Sequence, residues 1–148
     1  MPSWKVHEKW ACLFGINPVI VRAVNALIDK LWPHDIGRRR ASDDYYVRAL
    51  IISKYGYEGY AAYLLHHILD YIDWWIKKKG RIPSIERIER RFSRMLPVGA
   101  PYITRHGHLG ITRWGVHHID YAAIRVFNEV ISFVKTHIDE IVEDIRSS

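Results

Sequence analysis

The feature that most limits how this chain can fold is an apolar repeat at intervals of three and four residues. Such spacing puts side chains on one face of an α-helix, because a helix turns once every 3.6 residues. The repeat is clearest near the end of the chain, where it predicts a long helix over residues 119–145. The core-facing stripe of that helix is Ile124, Phe127, Ile131, Val134, Ile138 and Ile141.

Residues that begin or end helices divide the rest of the chain. Ser3 is predicted to cap a first helix that ends at Gly15, since Ser caps helix starts and Gly follows helix ends. Pro18 opens a second helix, and Pro33 ends or kinks it. Ser42 opens a third. The later predicted helices cover residues 42–55, 57–79, 84–95 and 119–145.

One stretch breaks the helical pattern. Residues 97–115 contain four Gly and two Pro, and they favour either a short β-hairpin near residues 101–113 or a functional loop. We see no linker between domains. The sequence therefore predicts an all-α fold of about six helices, in a single compact domain over residues 1–148.

Composition excludes several classes of protein. Hydrophobic residues make up 49% of the chain, which is enough for a core and excludes a disordered chain. There is one cysteine, so an internal disulfide is excluded, and we predict a cytoplasmic protein without a membrane segment. The chain has no Gln and only three Asn, against 20 Ile and 14 Arg. This bias is typical of a thermophile.

Histidine and aspartate residues recur in an ordered series along the predicted helices. His7 lies on the first helix, and the string HDIGR, beginning at His34, follows the second. Further His pairs come later, and Asp120 closes the series. A His, a His-Asp pair, further His and a final Asp form an order that resembles the HD-domain superfamily of metal-dependent phosphohydrolases. The motif of that superfamily is often written HDIG.

This resemblance implies a divalent transition metal (Mn, Fe, Ni or Zn), which imidazole and carboxylate ligands suit, and a phosphate-bearing substrate such as a nucleotide. The metal ligands that it implies are His7, His34 and Asp35, then His66 or His67, and finally Asp70 or Asp120. The catalytic residues that it implies are Asp35, His66 and Arg38.

Helical spacing indicates which candidate ligands share a helix face, but it does not distinguish Asp70 from Asp120 as the final ligand. His66, Asp70 and Asp73 share one side of the predicted fourth helix, whereas Asp120 lies one turn before Ile124 on an inward stripe. A buried carboxylate at either position needs a metal or an Arg as partner. The alternative interpretation makes these His and Asp residues structural, as hydrogen-bonded core or capping groups.

The net charge of +6 has two sources. Arg38, Arg39 and Arg40 adjoin the His-Asp pair, where guanidinium groups would bind substrate phosphate. Alternatively, they form a solvated loop. A second basic region favours a different function, a non-enzymatic nucleic-acid-binding or packaging protein that acts as an oligomer. Its candidate contacts are Lys77, Lys78, Arg87, Arg90, Arg91 and Arg94. The long last helix and the abundant aromatic residues are compatible with a homodimer.

Overall fold

Helices dominate the computed structural model, which describes residues 2–31, 41–93, 99–103, 109–113 and 121–148. The helices within these ranges are α1 (Trp4–Phe14), α2 (Pro18–Leu31), α3 (Ala41–Lys79), α4 (Ile85–Phe92) and α5 (Tyr121–Ser147). Two strands, β1 (Gly99–Ile103) and β2 (Leu109–Arg113), pair antiparallel, with Gly99 opposite Arg113 and Ile103 opposite Leu109. The described residues thus have the predicted helical class, together with one antiparallel pair of strands.

The described ranges contain five helices rather than the predicted six. The third and fourth predicted helices form one element, α3, which is interrupted at Gly56. Gly56 has φ 68° and ψ −159°, a combination that is essentially restricted to glycine. The sequence predicted a boundary between two helices at this glycine, and two helical segments do meet there across a kink.

The second half of α3 occupies the centre of the fold. α3 as a whole contacts α1, α2, α4 and α5, and in its second half every residue from Gly59 to Asp73 is buried. The spacing of apolar residues predicts one buried stripe on this helix, whereas the structure covers all sides of it. The residues of that stripe are Ala61, Leu64, Leu65, Ile68, Ile72, Trp75 and Ile76. Consequently, His66 and Asp70 lie inside the protein even though they fall outside that stripe.

The outer helices contribute their apolar stripes to this core. On α5, the predicted positions Phe127, Ile131, Val134 and Ile141 are buried, while Ile124 and Ile138 are partly buried. On α1, the Ser3 side chain accepts a hydrogen bond from the amide of Val6, and Gly15 ends the helix with φ 115°. These local signals hold α1 at the length that presents His7 to α3 and Trp10 to α5. Among the described helices, none has the length and apolar character needed to cross a bilayer.

The interruption in α3 leads to a stability prediction. Replacing Gly56 with Ala should lower the free energy of unfolding by about 1–3 kcal/mol, because an alanine is strained at this φ and ψ. A Cβ at this position meets no described atom within 4 Å, so backbone strain alone accounts for the loss. Urea denaturation followed by circular dichroism measures it. Ser53→Ala, an exposed change in the same helix, should be nearly neutral, and a Gly56→Ala protein as stable as wild type would contradict the prediction.

Candidate metal centre

Two histidines and one carboxylate from two helices meet in the core. His7 comes from α1, and His66 and Asp70 lie one turn apart on α3. Each offers one ligand atom, and these atoms lie within 4.8 Å of one another. Among the described residues, one group of His, Cys, Asp and Glu side chains is close enough together to hold a metal ion, and it consists of these three residues.

The Asp70 carboxylate joins the two imidazoles. Its Oδ1 lies 2.9 Å from Nε2 of His7, and its Oδ2 lies 3.5 Å from Nε2 of His66. A metal held by tetrahedral bonds of about 2.0–2.1 Å keeps its ligand atoms about 3.3 Å apart. Each of the two distances ends on a different oxygen of Asp70. One ligand atom from each residue lies within 4.8 Å of the others, so the three donors could hold one ion after their side chains shift.

The other nitrogen of each imidazole is fixed by an oxygen acceptor. Nδ1 of His7 donates to the backbone carbonyl of Ser3 at 3.0 Å, and Nδ1 of His66 donates to Oδ1 of Asn25 at 3.0 Å. Metal-ligating histidines usually donate their second N–H to such an oxygen, which fixes the tautomer and the ring orientation. Both Nε2 atoms are thereby directed toward Asp70.

Burial makes the protonation of His7 depend on Asp70. His7 is 4% exposed and Asp70 is 9% exposed. Burial opposes protonation of His7, but the hydrogen bond to Asp70, the charge of that carboxylate and the hydrogen bond to Ser3 together raise the pKa of His7 above 6.5. Both ring nitrogens face acceptors, which suits a protonated imidazole. A metal must displace the Nε2 proton, so metal affinity should increase with pH.

A small pocket of about 50 Å³ opens beside the two imidazoles. Asn25 and Asp29 of α2 line one side, and Oδ1 of Asp29 lies 3.8 Å from Nε2 of His66. Trp4 lines the pocket from the first turn of α1 while 64% of its surface stays exposed. The pocket therefore offers a carboxylate and an exposed aromatic ring next to the candidate ligands.

His67 and Asp73, which the sequence analysis placed near the predicted site, contact other residues in the structure. The ring of His67 packs edge-on against Tyr63, with ring centroids 4.6 Å apart, and His67 is outside the converging group. Consecutive helical residues point about 100° apart, so His66 and His67 cannot both face α1. Asp73 instead contacts Lys77 at 3.0 Å.

Several predicted site residues lie outside the described ranges. These are His34, Asp35, Arg38, Arg39, Arg40, Asp120 and Arg94. Of the two alternatives for the final aspartate, Asp70 is the described one, and it contacts His7. The choice between Asp70 and Asp120 as metal ligand stays a prediction.

Sequence reasoning missed Asn25 and Asp29. Both lie on α2, four residues apart, and both contact His66. The available signal was an Asn and an Asp on one side of a helix that directly precedes the His-Asp pair. That pattern alone is too common to identify neighbours of a metal centre.

Comparison with protein-family models, curated proteins and solved structures found no match for this chain. A metal function for the centre therefore rests on its own chemistry. Two buried imidazoles have one nitrogen fixed by an oxygen, and a carboxylate lies between the other two nitrogens.

The buried His7–Asp70 pair leads to a pH-dependent stability prediction for metal-free protein. The raised pKa of His7 adds stability that is fully present below pH 6.5, the ordinary histidine value, and is lost as pH rises through the folded-state pKa. Asp70→Asn should therefore lower the free energy of unfolding more at about pH 5.5 than at about pH 9. Denaturation with a chelator present measures this difference. An equal loss at both pH values would contradict the prediction.

Proposed function

We propose that the chain is an HD-type metal-dependent phosphohydrolase that acts on a nucleotide or another phosphate ester. In this proposal His7, His66 and Asp70 are metal ligands, and His34 and Asp35 complete the centre. The observation that carries it is the convergence of two oriented imidazoles on one buried carboxylate. The HDIGR string supports the same function, because His34 follows Asp29 by only five residues.

The donor set suits Mn, Fe, Ni or Zn, since imidazole and carboxylate together favour divalent transition metals. When bound, such an ion supplies positive charge to a phosphoryl oxygen and activates water for attack on phosphorus. Asp70 has one oxygen near each histidine, an arrangement with which a carboxylate can hold one ion or bridge two. Ser3 and Asn25 keep the two imidazoles oriented for that task.

In this proposal the phosphoryl group of the substrate occupies the pocket beside the two imidazoles. The pocket volume of about 50 Å³ suits a small group such as a phosphoryl group, so a larger organic part would extend outward past Trp4. Asp29 lies at the half-exposed side of the pocket, where its carboxylate can accept the proton that the attacking water loses. In the proposal, Arg38, Arg39 and Arg40 bind phosphate oxygens.

Metal content and hydrolysis test this function together. Protein purified without chelator should carry bound Mn, Fe, Ni or Zn by elemental analysis and should release phosphate from a panel of nucleotides and sugar phosphates. His7→Ala, His66→Ala and Asp70→Ala should each lose the metal and lower kcat/KM by about 100-fold or more, since each removes one ligand. His34→Ala and Asp35→Ala should have the same effect.

His67→Ala is the matched control for these variants. His67 is as buried as His66 and adjacent to it, but it is outside the converging group, so this variant should keep its metal and its activity. Circular dichroism checks that each variant is folded. Wild-type protein that stays metal-free in the presence of these ions and hydrolyses no phosphate ester would overturn the proposal.

Asn25 provides a second, finer prediction. Asn25→Ala keeps all the proposed ligands but removes the acceptor for Nδ1 of His66. Changes to such orienting residues typically weaken metal affinity by about 10–100-fold. Competition with a chromogenic chelator measures the affinity. An Asn25→Ala protein that binds metal as tightly as wild type would show that this hydrogen bond has no part in metal binding.

A further inference from the structure

Most of the surplus positive charge lies on one part of the surface. Between residues 77 and 93 the chain has seven Lys and Arg residues against two Glu, a net charge of +5 out of +6 for the whole protein. One of the seven, Lys77, is paired with the Asp73 carboxylate at 3.0 Å. These cations occupy the end of α3, the turn that follows, and α4. We call this surface the basic face; its residues are Lys77, Lys78, Lys79, Arg81, Arg87, Arg90 and Arg91.

The turn between α3 and α4 places these cations close to one another. Gly80 ends α3 with φ 72°, and the Ser84 side chain begins α4 by accepting a hydrogen bond from the amide of Arg87 at 3.2 Å. The apolar side of α4, with Ile88 and Phe92, is buried in the core. Arg87 and Arg90 are exposed on the remaining surface.

Aromatic rings beneath the basic face hold several of its cations in place. The Arg87 guanidinium lies 4.4 Å from the centre of the Trp75 ring, and Lys79 lies 5.6 Å from the same ring. Arg91 lies 5.9 Å from the Tyr71 ring, and Lys78 lies 5.1 Å from the Trp74 ring. Cation–π contacts at these distances fix a side chain without neutralising its charge.

The buried rings also determine what the basic face can recognise. Trp75 and Tyr71 are each 6% exposed, so they are covered and unavailable for stacking on bases, whereas Trp74 is partly buried and lies under Lys78. The face therefore presents oriented guanidinium and ammonium groups, which bind phosphate oxygens. Contacts of that kind position a protein on nucleic acid but carry no sequence information.

We propose that the basic face binds the sugar-phosphate backbone of nucleic acid without sequence preference. A membrane is the less favoured partner, because membrane-bound amphipathic helices insert a large apolar face and that side of α4 is already buried. The same surface serves an enzyme that acts on nucleic acid or a non-enzymatic protein that coats it. The proposal is therefore independent of the metal centre.

Fluorescence anisotropy with a labelled, mixed-sequence duplex of about 20 base pairs tests the proposal over about 50–200 mM salt. If four cations contact phosphate, the slope of log affinity against log salt should be about −3.6. Lys78→Gln/Arg87→Gln should weaken binding at least about tenfold at the lowest salt and bring the slope closer to zero by about 1.8. A second duplex of unrelated sequence should bind equally well.

Arg125→Gln/Lys135→Gln is the matched control, because it removes the same charge from exposed positions on α5. It should weaken binding less than about twofold, since it removes no phosphate contact. His7→Ala should bind as wild type does, which separates this proposal from the metal centre. Arg87→Lys keeps the charge but replaces the planar group that lies over Trp75, and it should weaken binding by an intermediate amount.

Three results would overturn the proposal. One is an equal loss of affinity in the two double variants, which would show that net charge alone determines binding. Another is affinity that does not depend on salt. The third is binding to phosphatidylserine vesicles without binding to the duplex, which would assign the basic face to a membrane.

Discussion

The burial of polar groups on α3 is the constraint on which the rest of this structure depends. From Gly59 to Asp73 the helix is covered on every side, yet this stretch carries His66 and Asp70. A buried carboxylate is tolerated only when other groups compensate for the water that it loses. His7 of α1 contacts the Asp70 carboxylate, and Asn25 of α2 accepts a hydrogen bond from His66. The packing of both helices against α3 is therefore linked to the candidate site.

This linkage also explains why the same groups suit a metal. Hydrogen bonds that satisfy a buried imidazole at one nitrogen leave the other nitrogen directed to one place. In metal-free protein, Nε2 of His7 contacts the Asp70 carboxylate instead of a metal. Stability without metal and affinity for metal thus draw on the same atoms, and a variant that removes either partner changes both.

The sequence predicted the elements better than it predicted their surroundings. The three- and four-residue repeat identified α5 and most of its buried face, and Ser3 and Gly15 marked the ends of α1. Both signals are local, acting within a few residues of chain. The covering of α3 on all sides is a property of the assembled fold, so a pattern with one apolar stripe could not reveal it. Gly56 was predicted as the boundary between two helices, and the kink in α3 lies at that residue.

The candidate site shows the same division. Its types of residue and their order could be read from the sequence, and they produced the resemblance to HD-domain phosphohydrolases. Whether His66 or His67 faces α1 depends on how α3 is rotated about its own axis. Asn25 and Asp29 were missed because their role depends on which face of α2 meets α3. Such choices are made by packing across the whole core.

Ser3 has two functions in the first turn of the chain. Its side chain caps α1, and its carbonyl orients His7, while Pro2 and Trp4 line the adjacent pocket. Any segment fused ahead of Pro2 therefore begins next to the candidate metal centre. A polyhistidine tag at that end would bring its own imidazoles to the pocket and add its own metal to an elemental analysis.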